Sequence, residues 1–222
     1  MKIYSVSQYV DALNTTIKED AIIEGELSGF TISQNKWVFF TIKDETCTLE
    51  CFSMVFWVKT PVEDGMRVRV IGYPKVHEKS GRMRFTVRDI VPIGDGSLKR
   101  AYEMLKKKLE DEGLFALGRK RQLPRFPLRI AVVASKDSAA YGDFLRIFNN
   151  RWGLSEIVLY NVSVQGENAV QEIISAFGRI NSASEAWAPD VVVLTRGGGS
   201  LEDLSAFNDE QVARAIYGCK YP

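Results

Sequence analysis

The chain has 222 residues, 45% apolar and 26% charged, with a formal net charge of +1. That composition belongs to a folded protein and excludes a wholly disordered one, and the length suits two modest domains better than one. Apolar runs such as Ile130–Ala134 are far too short to span a bilayer, and residues 1–20 lack the pattern of a secretory signal.

Ser5–Lys18 reads as a helix, because Val6, Tyr9, Val10 and Leu13 recur at helical spacing. From Ala21 to Val91 the period falls to two, in five short runs: Ala21–Phe30, Lys36–Lys43, Cys47–Phe56, Arg67–Lys75 and Met83–Ile90. Turn-forming residues separate them at Ser33–Asn35, Lys43–Glu45, Pro61–Gly65 and Glu78–Gly81. Five strands with a brief non-strand piece between the third and fourth suggest a small closed or partly closed barrel, with an OB-fold as the candidate. Gly94–Ser97 then supplies a linker and a helix cap, and Leu98–Glu112 is amphipathic, with Leu98, Tyr102, Leu105 and Leu109 on one face and Gly113 at its end.

Beyond an irregular basic stretch holding Pro124 and Pro127, strands and helices alternate. The strands are Arg129–Ser135, Glu156–Val162 and Asp190–Thr195; the helices are Ala139–Arg151, Asn168–Ser182 and Asp209–Gly218. This rhythm argues for a parallel sheet covered on both faces. The expected fold class is therefore α+β in two domains: an OB barrel over 1–97, a basic linker helix and loop over 98–128, and a partial α/β domain over 129–222. Three strands make a poor sheet. The sequence stops at Tyr221-Pro222, where a fourth crossover should return, so the expectation is a truncated fold, with a complete minidomain as the alternative.

The small net charge is a cancellation. Residues 98–129 balance at +6, between −1 for 1–97 and −4 for 130–222. Such a surplus suits a polyanion partner, and equally a solvated helix face with a charged linker. Within the barrel, Arg67 and Arg69 lie opposite Met66, Val68 and Val70, while Arg82, Arg84 and Arg88 lie opposite Met83, Phe85 and Val87. Alternation predicts outward guanidinium rows, and the planar fork of arginine matches phosphate. If Val38, Phe40 and Ile42 face the core, Trp37 and Phe39 face outward as stacking platforms for bases; packing under the N-terminal helix is the other reading. His77, the single histidine, reads as a surface residue beside a turn. Three cysteines, Cys47, Cys51 and Cys219, fit neither a disulfide framework nor a paired zinc motif, so a reducing, cytoplasmic setting is expected.

In the second half, Thr195-Arg196-Gly197-Gly198-Gly199-Ser200 follows a strand and precedes a helical segment, an arrangement suited to holding a phosphate by backbone N–H groups. Ser200 with Asp203 resembles a capping pair. Asp143, near the start of a helix, would join Arg196 at the carboxyl ends of two strands as a phosphodiester site.

These residues resemble the exodeoxyribonuclease VII large-subunit family. The resemblance is carried by Tyr4-Ser5-Val6-Ser7, Glu24-Gly25-Glu26-Leu27-Ser28, Trp37–Asp44, Gly65–Val70, Gly96-Ser97-Leu98, Leu105–Phe115, Leu123-Pro124, Ile130–Ser135 and Val164-Gln165-Gly166. Its most specific stretch is Arg196–Leu204 with Phe207-Asn208-Asp209-Glu210. It implies an OB-fold that binds single-stranded DNA, joined to a nuclease domain that hydrolyses it to short oligonucleotides. It also implies a small helical partner subunit, engaged through a helical region absent here, and no membrane. Asp143 and Arg196 align with the family's essential catalytic aspartate and arginine. Asp143 could orient water, position a basic partner or bind a divalent metal such as Mg; the sequence leaves these open.

Two departures stand out. The family's Gly-His-Glu-Thr-Asp motif is absent, and Asp137-Ser138-Ala139-Ala140 replaces the usual Thr-Gly-Ala-Ala, with Gly142 where a basic residue is usual. The expectation is a chain that binds DNA without cleaving it, with a non-catalytic single-strand-binding or assembly module as the rival.

Overall fold

The computed structural model describes residues 2–166, 168–184, 187–200 and 202–222. They divide into two compact units between residues 104 and 105.

In the first unit, α1 (Val6–Ile17) starts at Ser5, whose side chain accepts from the Gln8 N–H while the Gln8 side chain accepts from the Ser5 N–H. Five strands follow: β1 (Ala21–Ser33), β2 (Trp37–Lys43), β3 (Thr48–Met54), β4 (Arg67–Val76) and β5 (Met83–Pro92). They close into a barrel in the order β1-β2-β3-β5-β4. The five-strand barrel expected from the sequence is thus present. Closure rests on β1, long enough to pair with β2 through its second half and β4 through its first, and on a short parallel contact of β3 with β5.

The period-two pattern settles which face is inside. Val38, Phe40 and Ile42, Val68 and Val70, and Phe85 and Val87 fill a single core with Leu27, Met66 and Ile90. Gly72 is required by packing, since a Cβ there would lie 2.0 Å from the Thr86 carbonyl oxygen. The β4–β5 register shifts beside it, where Ile71 faces Asp89 and Gly72 faces Val87, leaving Arg88 in a bulge. The turn between β1 and β2 puts Gln34 and Asn35 at φ of 53° and 52°.

α2 (Asp95–Asp111) begins earlier than its apolar face suggests. Ser97 is a buried residue of the helix, not its cap, and its hydroxyl accepts the Arg67 N–H at 2.9 Å.

The second unit holds a parallel sheet of β6 (Arg129–Ala134), β7 (Glu156–Asn161) and β8 (Val191–Leu194), in the order β7-β6-β8. Helices α3 (Ala139–Arg151), α4 (Ala169–Asn181) and α5 (Glu210–Tyr217) complete it. Side chains alternate across β6. Ile130, Val132 and Ala134 meet Tyr141, Phe144 and Phe148 of α3, while Ala131 and Val133 meet Ile173, Ala176 and Phe177 of α4 and Val212 of α5. The sheet is covered on both faces, as the strand–helix alternation predicts.

One expectation needs correction. No α-helix begins at Ser200: residues 202–204 turn, Ser205–Asn208 form a short 3₁₀ helix, and α5 starts at Glu210, capped by Asp209. No helix among the described residues is long and apolar enough to cross a membrane.

Candidate functional site

Two places in the chain gather chemistry, one in each unit. On the barrel, β2 turns Val38 and Phe40 inward, so Trp37 and Phe39 lie half-buried on the outer face. Phe52 of β3, the register partner of Phe39, sits with its ring 5.5 Å from both. Met54, Trp57, Tyr73, Lys75, His77, Arg84 and Thr86 complete a groove of about 400 Å³.

Cations already lie on these rings. Arg84 is 5.2 Å from the Phe39 centroid, and its Nε donates to Glu50 at 3.1 Å. Lys36 is 4.8 Å above Trp37. Phe56, exposed, meets Trp57 edge to face. The groove can therefore stack planar groups on its floor and hold anions at its rim.

The two arginine rows divide. Arg84 lines the groove, and Arg82 lies in the β4–β5 turn, exposed, beside His77, whose Nδ1 is 3.1 Å from the Ser80 hydroxyl. Arg69 is bound to Glu24, with Nε and Nη2 at 2.9 and 2.5 Å from one carboxylate oxygen. Arg88 pairs with Asp20 and lies over Tyr73. Arg67 faces Glu26 across the sheet and lines an acidic hollow with Glu24, Asp44 and Glu45. Backbone N–H groups of Thr46 and Cys47 hold the Asp44 carboxyl below its ordinary range, so that hollow stays anionic. All five arginines reach the outer surface, but not one continuous stripe.

The sequence reading missed Phe52, Trp57, Tyr73, Lys75 and His77 as groove residues, and Lys36 over the Trp37 ring. Phe52 and Tyr73 share the outward parity of their strands, and that signal could have found them.

In the second unit, β6 and β8 are neighbours, with the Thr195 N–H donating to the Val133 carbonyl at 3.1 Å. Their carboxyl ends therefore release the Ser135–Ser138 and Arg196–Ser200 loops at one sheet edge. Arg196 is half-buried; its Nη2 donates to the Gly198 carbonyl at 3.0 Å, while its Nη1 is buried with no hydrogen-bond partner among the described residues. Ser200 and Asp203 bond reciprocally, the Ser200 N–H and hydroxyl donating to Asp203 Oδ2 at 3.0 and 2.9 Å. These bonds, with Arg196 nearby, hold the Asp203 carboxyl below its ordinary range.

Gly199 sits between these two groups. A Cβ there would come within 2.7 Å of Arg196 Nη2 and 2.9 Å of Asp203 Oδ2. Gly197 and Gly198 stand in open space.

Asp143 lies one turn into α3, exposed, and is paired with Arg146 at 2.7 Å. No hydrogen bond or ion pair joins it to Arg196 among the described residues. Nor do three or more His, Cys, Asp or Glu residues converge there on a point that could hold a metal ion. Among the described residues, the donors around Asp143 do not by themselves make a divalent-cation site.

Comparison with known proteins joins the two sites. Residues 1–91 match the family of OB-fold nucleic acid binding domains, and residues 114–222 match the family described as exonuclease VII, large subunit. An exodeoxyribonuclease 7 large subunit of Sulfurimonas denitrificans is 37% identical over 100% of this chain and 53% of its own length. That of Campylobacter fetus is 37% identical over 100% of the chain and 57% of its length. That of Limosilactobacillus reuteri is 42% identical over 90% and 44%. The chain spans about half the length of the curated relatives it matches. Matched from the barrel through the glycine-rich loop, it belongs to the exodeoxyribonuclease VII large-subunit family.

Proposed function

We propose that this chain is the part of an exodeoxyribonuclease that holds single-stranded DNA on its barrel and receives a phosphodiester at the glycine-rich loop. The observation that carries the reading is the groove of Trp37, Phe39, Phe52 and Trp57 on a closed five-strand barrel, with Lys36, Lys75 and Arg84 at its edge. Bases stack on the rings and phosphates meet the cations, an arrangement tolerant of sequence and closed to a stacked duplex. Arg82 extends the cationic rim; Arg67, Arg69 and Arg88, held among carboxylates, contribute less.

At the second site, the Arg196 guanidinium supplies positive charge for the phosphate, and the N–H groups of Gly197, Gly198, Gly199 and Ser200 add donors for charge that develops in hydrolysis. Asp143 acts by positioning a basic partner, Arg146. The 222 residues bind without cleaving. The single histidine, His77, belongs to the β4–β5 turn of the first unit, so the second unit has no imidazole of its own to serve as general acid or base. Association with a small helical subunit belongs to the same proposal for the whole protein.

The test is tryptophan fluorescence of the purified chain titrated with a labelled oligothymidylate and with a duplex, followed by gel analysis of the label. Quenching by the single strand, little by the duplex, and an intact label are expected. Degradation of the strand refutes the binding-only reading; absence of quenching refutes the groove. Binding by a natural chain that ends at Pro222 would favour a non-catalytic single-strand-binding module.

A further inference from the structure

The surplus of +6 over residues 98–129 is not spread evenly in space. On α2, Lys108 is committed to Glu210 at 2.8 Å, and Arg214 of α5 bridges Glu112 and Glu210, each at 2.7 Å. These four charges neutralise one another. Among the other cations of the stretch, Arg119, Lys120 and Arg121 are consecutive, all exposed and none with a carboxylate partner among the described residues.

They line a second groove of about 370 Å³, wholly within the second unit, whose other walls are apolar. Phe115 and Leu123 come from the irregular stretch, Ile216 and Tyr217 from α5, and all four are exposed. Arg119 lies 4.3 Å from the Tyr217 ring centroid.

We infer that this groove is a second single-strand subsite, separate from both the barrel groove and the Arg196 loop. An apolar and aromatic floor beside three uncompensated cations is the combination that takes a base and its flanking phosphates. Concavity and size admit an unstacked base and exclude a duplex. Basic residues with exposed apolar ones also suit anionic lipid, but that mode uses an amphipathic helix laid on the surface. Here the cations sit on a three-residue 3₁₀ turn (Leu117–Arg119) and an irregular segment interrupted by Pro124. The subsite shares its substrate class with the function proposed above but none of its residues, so either can fail alone.

The experiment measures binding of a fluorescent oligothymidylate against salt. It compares the full chain, the barrel variant Trp37→Ala/Phe39→Ala, and the groove variant Arg119→Ala/Lys120→Ala/Arg121→Ala. A double variant, Lys120→Ala/Arg121→Ala, keeps the Arg119–Tyr217 stack in case its loss disturbs folding. Each neutralised phosphate contact contributes about 0.7 to the log–log salt slope for single strands, so the triple variant should flatten the slope by about 2 and the double by about 1. The barrel variant should keep a residual, salt-dependent affinity that the triple variant abolishes when combined with it. An unchanged slope in both groove variants overturns the subsite while leaving the barrel reading intact. Loss of binding to phosphatidylserine vesicles in the groove variants, with DNA binding unchanged, overturns it in favour of a lipid surface.

Discussion

Arg84 shows how much a single side chain can be asked to do. Its guanidinium touches the Glu50 carboxylate and lies on the Phe39 ring, so it is fixed in place before any ligand arrives. Lysine would keep the charge and lose the flat stacking surface. Arg84→Lys is therefore expected to weaken single-strand binding several-fold, about 1 kcal/mol, with an unchanged salt slope, whereas Arg84→Ala lowers both. Equal affinities of Arg84→Lys and the parent would show that the ring contact is idle. Arg69 is the contrast: it too has a carboxylate partner, Glu24, but it lies on no aromatic ring among the described residues. Alternation alone places Arg69 and Arg84 alike on the outer face; the partner of Arg69 lies 45 residues earlier, and only the β1–β4 register brings it close. Which arginine is free for a ligand could not be read from either strand alone.

At the scale of elements, the barrel and sheet were legible because their alternation is strong. Val38, Phe40 and Ile42 on β2 and the apolar run of β6 each fix a face. The helix after the glycine loop, expected over Asp209–Gly218, is found at Glu210–Tyr217; the turn at Ser200 was less legible, because Ser200 and Asp203 make the same reciprocal bonds in a turn as at a helix start. The groove was half legible. Trp37 and Phe39 could be assigned outward, but Tyr73 and Trp57 join them only through barrel closure.

Two local devices make testable contributions. Gln34 holds φ at 53°, where a side chain without local bonding is strained. Gln34→Gly should stabilise the barrel by about 1 kcal/mol and raise Tm by roughly 2–4 °C in a thermal melt. Asp190 accepts the N–H groups of Arg129 and Leu128 at the start of β6, which holds its carboxyl below the ordinary 3.8. A depressed folded-state pKa gives stability that is present above the unfolded value and lost as pH falls through the folded one. Asp190→Ala should thus lower Tm at neutral pH, and the gap to the parent should narrow as pH falls below 3.8. A gap constant from neutral to strongly acid solution would show that the carboxylate charge plays no part.

For the molecule as a whole, a net charge of +1 conceals a division of labour. Carboxylates on β1 and its neighbours surround Arg67 and Arg69, while Lys36, Lys75 and Arg84 border aromatic rings elsewhere on the same barrel. The second unit carries an arginine with a spare buried donor and a loop whose bulk is limited at Gly199 by that same arginine. Family membership unites the parts.

The most direct measurement is the affinity of the full chain for a fluorescent single strand in two paired variants, Trp37→Ala/Phe39→Ala and Arg67→Ala/Arg69→Ala. Stacking contributes about 1–3 kcal/mol per base, so the aromatic pair should lose on the order of tenfold to several hundredfold in affinity, while the arginine pair stays within a few-fold of the parent. The opposite ranking, with the arginine pair costing the larger loss, would contradict a DNA site on the aromatic face.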